Sequence, residues 1–174
     1  MPGSLVKIAE TTVSGTPSTV QLLGIDSTYD VYVVKTNNIQ PTTDTSIIRQ
    51  RVTVIGTADT SANYDEAYKL LRTDTSFSNS ANTNQTYFQL GTNLGTVTGE
   101  VSNAIYYLFN FNNASEYSFV TSETTEVNKN SVLLVGLQGG GVHTVAQACD
   151  GIEFYFDNSS TFASGTFSLY GLKK

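Results

Sequence analysis

Residues 152 to 157 read Ile152-Glu153-Phe154-Tyr155-Phe156-Asp157, with an apolar side chain at every even position and a polar or amphipathic one at every odd position. In an extended backbone successive side chains point to opposite faces, so this alternation makes one apolar and one wet face, the signature of a half-buried β-strand. The same period returns after a polar turn, where Phe167 and Leu169 alternate with Ser168 and Tyr170. These two segments are expected to form a closing hairpin.

Working upstream, Ile47 to Ile55 places Ile48, Val52 and Val54 on one face with Gln50, and Ile47, Arg49, Arg51 and Thr53 on the other. Val101 to Phe111 aligns Val101, Ile105, Tyr107, Phe109 and Phe111 on one side, the heaviest aromatic stripe in the chain, and is expected to be a central strand. Tyr29, Val31 and Val33 alternate with Asp30, Tyr32 and Val34, and Pro41 with Asp44 marks a polar connection before the next run. Weaker strands are expected at Leu5 to Val13, Thr19 to Leu23, Thr86 to Leu90, Tyr117 to Thr121, Val132 to Leu137 and Val142 to Ala148. Helical spacing occurs once, at Tyr64, Ala67, Tyr68 and Leu71 after the capping residue Asn63, and Thr73 to Thr86 reads as an exposed polar loop. About ten short strands with at most one short helix predict an all-β fold, an antiparallel, jelly-roll-like β-sandwich.

The 174 residues suit a single domain spanning 1–174, because domains usually run to about 100 to 200 residues. Charged residues make up 14% of the chain, against about 25% in an ordinary globular domain. Ser, Thr and Asn supply the missing polarity as about a third of the sequence, Thr suiting strands and the other two suiting turns. Nine basic against fifteen acidic residues give a net charge of −6, and the close basic pairs are only Arg49 with Arg51 and Lys173 with Lys174. Binding to phosphates needs a basic stripe, so nucleic acid is not an expected partner. Met1 to Val6 has no basic start leading into a long apolar run, and nowhere do eighteen apolar residues occur together. Neither a secretion signal nor a membrane partner is expected.

Residues able to do chemistry are few. His143 is the one histidine, and no G-x-S-x-G elbow or protease signature accompanies it or the lone Cys149. It reads as a surface or interface histidine. The run Gly139, Gly140 and Gly141 lacks the following helix and lysine of a phosphate loop, and is expected to be a flexible hairpin or a place of close backbone contact. Glu153 and Asp157 share a strand face, but four residues of strand separate their Cα atoms by roughly 13 Å, longer than the carboxyl spacing usual in glycosidases. Asp26, Asp30, Asp44, Asp59 and Asp65 do not make an EF-hand loop. No catalytic residue, cofactor or metal is therefore expected, and the chain reads as a non-enzyme.

Three stretches carry a resemblance: YDVYVVKTNNIQPTTD from Tyr29 to Asp44, IEFYFDNS from Ile152, and ASGTFSLYGLKK from Ala163. Together they resemble a family of bacteriophage virion structural proteins, in which a tyrosine-repeating strand enters a Pro-x-x-Asp turn and a Gly-x-Phe-x-Leu-Tyr-Gly strand closes the chain. Pro41 to Asp44 and Gly165 to Gly171 match those two motifs. The resemblance implies a β-sandwich made in the host cytoplasm and carried on the virion surface, assembling as a homo-oligomer, often a trimer. A capsid decoration or cement subunit is the first expectation, with the major capsid protein or another virion structural protein as partner. A tail-fibre or receptor-binding domain is the alternative, with Tyr155, Asp157 and the Thr73 to Thr86 loop as candidate contacts for a host glycan. Ten tyrosines and nine phenylalanines exceed what scattered surface use requires, and tyrosine serves interfaces well because its ring is apolar and its hydroxyl can stay wet.

Overall fold

Period-two patterning becomes extended chain throughout the computed structural model, which describes residues 4–89, 91–129 and 133–173. The strands are β1 (Leu5–Thr12), β2 (Thr19–Leu23), β3 (Val31–Pro41), β4 (Ile48–Val54), β5 (Thr57–Ala58), β6 (Tyr64–Arg72), β7 (Phe77–Gln85), β8 (Ser102–Phe109), β9 (Ser118–Val127), β10 (Leu134–His143), β11 (Gly151–Phe156) and β12 (Phe162–Leu172). All pair antiparallel, and no helix forms among the described residues. One sheet has eight strands in the order β1-β12-β3-β8-β9-β10-β6-β7, and the other has four, β2-β11-β4-β5. The first four strands alternate between the sheets, and so do β11 and β12.

The two sheets close on each other through the apolar sets that the alternation supplies. From the small sheet come Val20, Leu22, Ile48, Val52, Ile152 and Phe154, all buried. Tyr32, Val34, Tyr106, Leu108, Phe167 and Leu169 meet them from the large one. Phe154 is the pivot, with its ring 5.0 Å from Phe167 and 5.9 Å from Tyr106. Truncating such a ring to alanine costs about 3 to 5 kcal/mol, so the inter-sheet aromatics are a main source of stability. Under β9 the core turns polar: Ser122, Thr124 and Glu126 point inward and are buried, beside the equally buried Gln50 of β4. The Thr92 amide donates to Glu126 at 2.7 Å, yet burial still pushes that carboxyl above its ordinary value.

The fold corrects several expectations. Residues 64–71 form no helix; they lie in β6, which makes nine cross-strand pairs with β10 and further pairs with β7. A helix of eight residues is marginal in water, whereas the ladder buries Tyr64 and Tyr68 on its inner face. Most of the expected loop at 73–86 is β7, an edge strand held by backbone pairing, in which only Phe77 and Ala81 are apolar. β11 and β12 are not a hairpin, since they belong to opposite sheets and only bring Phe156 and Phe162 to 4.6 Å across the core.

The separate strands expected at Val132 to Leu137 and Val142 to Ala148 are one strand, β10, running through the glycines and ending at His143. A Cβ at Gly139 would stand 2.4 Å from the Ala67 carbonyl oxygen, and one at Gly141 would stand 2.6 Å from the Phe88 ring. The glycine run is thus a place of close packing rather than a flexible turn. Near Phe88 the expected strand at 86–90 is a single bridge to Gln50. Leu90, Val132 and Lys174 lie outside the described residues.

Candidate functional site

Tyr155 and Asp157, the candidate ligand contacts, lie on the outer face of the small sheet and just past its β11 strand. Arg51 on the adjacent β4 lies with its guanidinium 4.2 Å from the Tyr155 ring centre, and Arg49 sits 3.8 Å over Tyr87. The Asp157 carboxylate accepts from the Ile47 amide at 2.9 Å and faces Arg49 at 3.9 Å. Glu153 accepts from Gln21 at 2.9 Å. Burial raises the Tyr155 phenol above its ordinary value. Arg51 thus covers one face of the Tyr155 ring, and the Glu153 and Asp157 carboxylates are engaged by neighbours, while the buried Tyr155 hydroxyl has no hydrogen-bond partner among the described residues. Of residues 73–86, Thr86 is the one that reaches this lane, accepting from Arg51 Nε at 3.0 Å. The β7 strand itself belongs to the other sheet.

His143 is a core residue and not a surface or interface histidine: its side chain has 0% exposure. Its Nε2 stands 3.1 Å from Asp59 Oδ2, its ring packs 4.7 Å from Tyr64, and burial lowers its pKa. Gln147 holds the same Asp59 oxygen at 3.0 Å. Cys149 is also fully buried, 3.7 Å from the Ser118 hydroxyl, and burial pushes its thiol up to about 11. A protonated thiol shut away from solvent is a poor nucleophile. The pair His143 and Asp59 fastens the 59–64 segment to the end of β10.

The exposed chemistry lies on the outer face of the eight-stranded sheet. The inward residues of β8 are Ser102, Ala104, Tyr106 and Leu108, so the aromatic stripe of Ile105, Tyr107 and Phe109 is turned outward, on the fourth of eight strands. Cross-strand register extends this stripe sideways. Leu5 pairs with Leu172, Val31 with Phe109, Phe109 with Phe119 and Phe119 with Val142, and Leu172 lies two residues beyond Tyr170 in the register that pairs Tyr170 with Val33. The result is a line of six apolar side chains crossing six strands. In the next row Val33 lies between Tyr170 and Tyr107, whose rings leave it only 2% exposed. Phe119 and Tyr107 remain 43% and 40% exposed. Four open depressions of about 290 to 520 Å³ lie over this face, lined among others by Lys35, Glu123, Gln138 and Leu71. Ligand sites are usually clefts that enclose most of a molecule, and an open sheet face is better shaped for a flat partner.

Sequence periodicity found the stripe. It missed Lys35, Lys69 and Glu123, because only the register between distant strands places them together. Compared with known proteins, the chain matches no family model, no curated protein and no solved structure.

Proposed function

We propose that the chain is a structural subunit of a bacteriophage particle, a capsid decoration protein that sits on the virion surface, braces the major capsid protein and acts as a homo-oligomer. The observation that carries this reading is the line of six apolar side chains across the open face of the large sheet, Leu5, Leu172, Val31, Phe109, Phe119 and Val142. Leu5 and Phe119 are exposed and the other four partly so, and contiguous apolar surface left open to water is costly and favours a site where another protein sits. The strand order supports the reading too. β1-β12-β3-β8 over β2-β11-β4-β5, widened by β9, β10, β6 and β7, is compatible with a jelly-roll-like sandwich, an architecture that recurs in viral capsids.

The test is reconstitution. Purified protein added to particles stripped of it should pellet with them to saturation and raise the temperature at which the shells release their contents. Failure to bind the shells overturns the reading. Binding to host cells that blocks infection overturns it in favour of a receptor-binding fibre domain.

A further inference from the structure

The central row of the open face is charged, and its charges are ordered. Ile105 on β8 is the midpoint of seven strands. Glu10, Ser168 and Lys35 lead to it across β1, β12 and β3. Glu123, Gln138 and Lys69 lead away across β9, β10 and β6. Residues equally far from Ile105 carry opposite charges, Lys35 and Glu123 one strand out and Glu10 and Lys69 three; two strands out stand Gln138 and Ser168, the latter only 3% exposed and donating to Glu10 at 2.9 Å.

We propose that this face pairs with the same face of a second copy of the chain, about a two-fold axis running along β8. The proposal rests on the reading of the chain as an assembling structural subunit, and names the partner seated on its open face.

Half a turn about that axis lays β3 over the partner's β9, β12 over its β10 and β1 over its β6, and leaves each row above itself. Every Lys35 then faces a Glu123, twice by symmetry, across the roughly 10 Å that separates packed sheets. The rows beside it agree. Leu172 comes over Val142 and Val31 over Phe119. Tyr170 comes over Gly140, where a depression of about 300 Å³ lined by Tyr107, Thr121 and Gln138 has no side chain to fill it.

The other in-plane two-fold, running across the strands along the central row, would stack Lys35 on Lys35 and Glu123 on Glu123. Like charges face to face repel, so the pattern selects one axis and rejects the other. Seven strands about 4.8 Å apart and three rows about 6.8 Å apart give a patch of roughly 30 by 20 Å. That is on the order of 600 Å² per copy as a flat projection, at the lower end of stable interfaces. Glu10 is already held by Lys7 at 2.7 Å, so the inner pair of Lys35 and Glu123 carries the test.

Sedimentation velocity over a concentration series, with circular dichroism to confirm folding, compares the wild type with Lys35→Glu, Glu123→Lys and the double exchange. The wild type should be a dimer. Each single variant should weaken it by roughly tenfold or more, and the double exchange should restore it, because opposite charges again face each other. A wild type that is monomeric at every concentration, single variants that dimerise like the wild type, or a double exchange no tighter than the singles would each overturn the proposal. So would a trimer indifferent to all three changes. Shell binding measured on the same proteins separates the two readings. A charge-dependent dimer that ignores shells removes the decoration role and leaves the pairing, and shell binding with no such dimer does the reverse.

Discussion

Arg51 holds its guanidinium 4.2 Å from the centre of the Tyr155 ring, and in doing so covers one of its aromatic faces. The same guanidinium donates to the Thr86 carbonyl at 3.0 Å, tying the segment after β7 to the small sheet. A cation over a partly buried tyrosine contributes about 1 kcal/mol. Arg51→Ala is expected to lower the thermal midpoint by about 2 to 4 °C. Thermal unfolding followed by circular dichroism checks this, and an unchanged midpoint would show that the stacking contributes nothing.

Glu126 gives the fold a pH signature. Burial raises its carboxyl above the ordinary 4.5, and hydrogen bonds from Thr92 recover only part of that shift. The folded chain therefore keeps a proton that the unfolded chain releases. The stability this supplies is complete below pH 4.5 and is lost as the pH rises through the raised folded value. Glu126→Gln carries no such proton, so its stability relative to wild type should climb from pH 4 towards neutrality, by at most about 1.4 kcal/mol per pH unit. His143, held neutral by burial, gives the opposite slope below its ordinary 6.5. That slope is shared by both proteins and cancels in the difference. Urea titrations of the two proteins at several pH values check this, and a constant difference would contradict it.

Gly139 stands where β10 meets β6 so closely that an added Cβ would lie 2.4 Å from Tyr68 Cβ and from the Ala67 carbonyl oxygen. Gly139→Ala should destabilise the protein by about 1 to 3 kcal/mol through forced separation of the strands. Gly99 has nothing within 4 Å of such a position but takes φ +94°, so a comparison at Gly99 would measure backbone strain instead. The urea midpoint of Gly139→Ala decides the point.

Cys149 is fully buried and its thiol is raised to about 11. A thiol-reactive dye should leave it unmodified in the native protein and label it at once in concentrated urea. Rapid labelling under native conditions would mean that the β9 and β10 ends open far more readily than their packing implies.

Much of this architecture was legible in the sequence, and the reasons for the gaps are physical. β2 and β4 read correctly because one face of each is buried and, Gln50 apart, apolar, the condition under which period two is visible. β9 was cut short at Thr121 because its inward residues beyond that point are Ser122, Thr124 and Glu126, polar side chains packed inside. Tyr64 and Tyr68 share one face of a strand as well as one face of a helix, and only pairing with β10 chooses between them. β7 offers almost no apolar residue to either reading. Parity along β11 and β12 shows which side chains point inward but not which sheet each strand joins. For the sites, the alternation puts Tyr155 on the outer face of β11 and Asp157 just past its end, while their Arg51 and Arg49 partners depend on cross-strand register. The charge order of the open face lay wholly in that register.

In the proposed assembly the outer face of the eight-stranded sheet is covered. Hydroxyl-radical footprinting of concentrated or shell-bound protein against dilute protein tests it most directly. Phe119 and Tyr107 should become several-fold less reactive on assembly, while Leu23 and Ile55, exposed on the small-sheet side at 41% and 91%, stay as they were. Protection of Leu23 and Ile55 with Phe119 and Tyr107 left open would contradict the account.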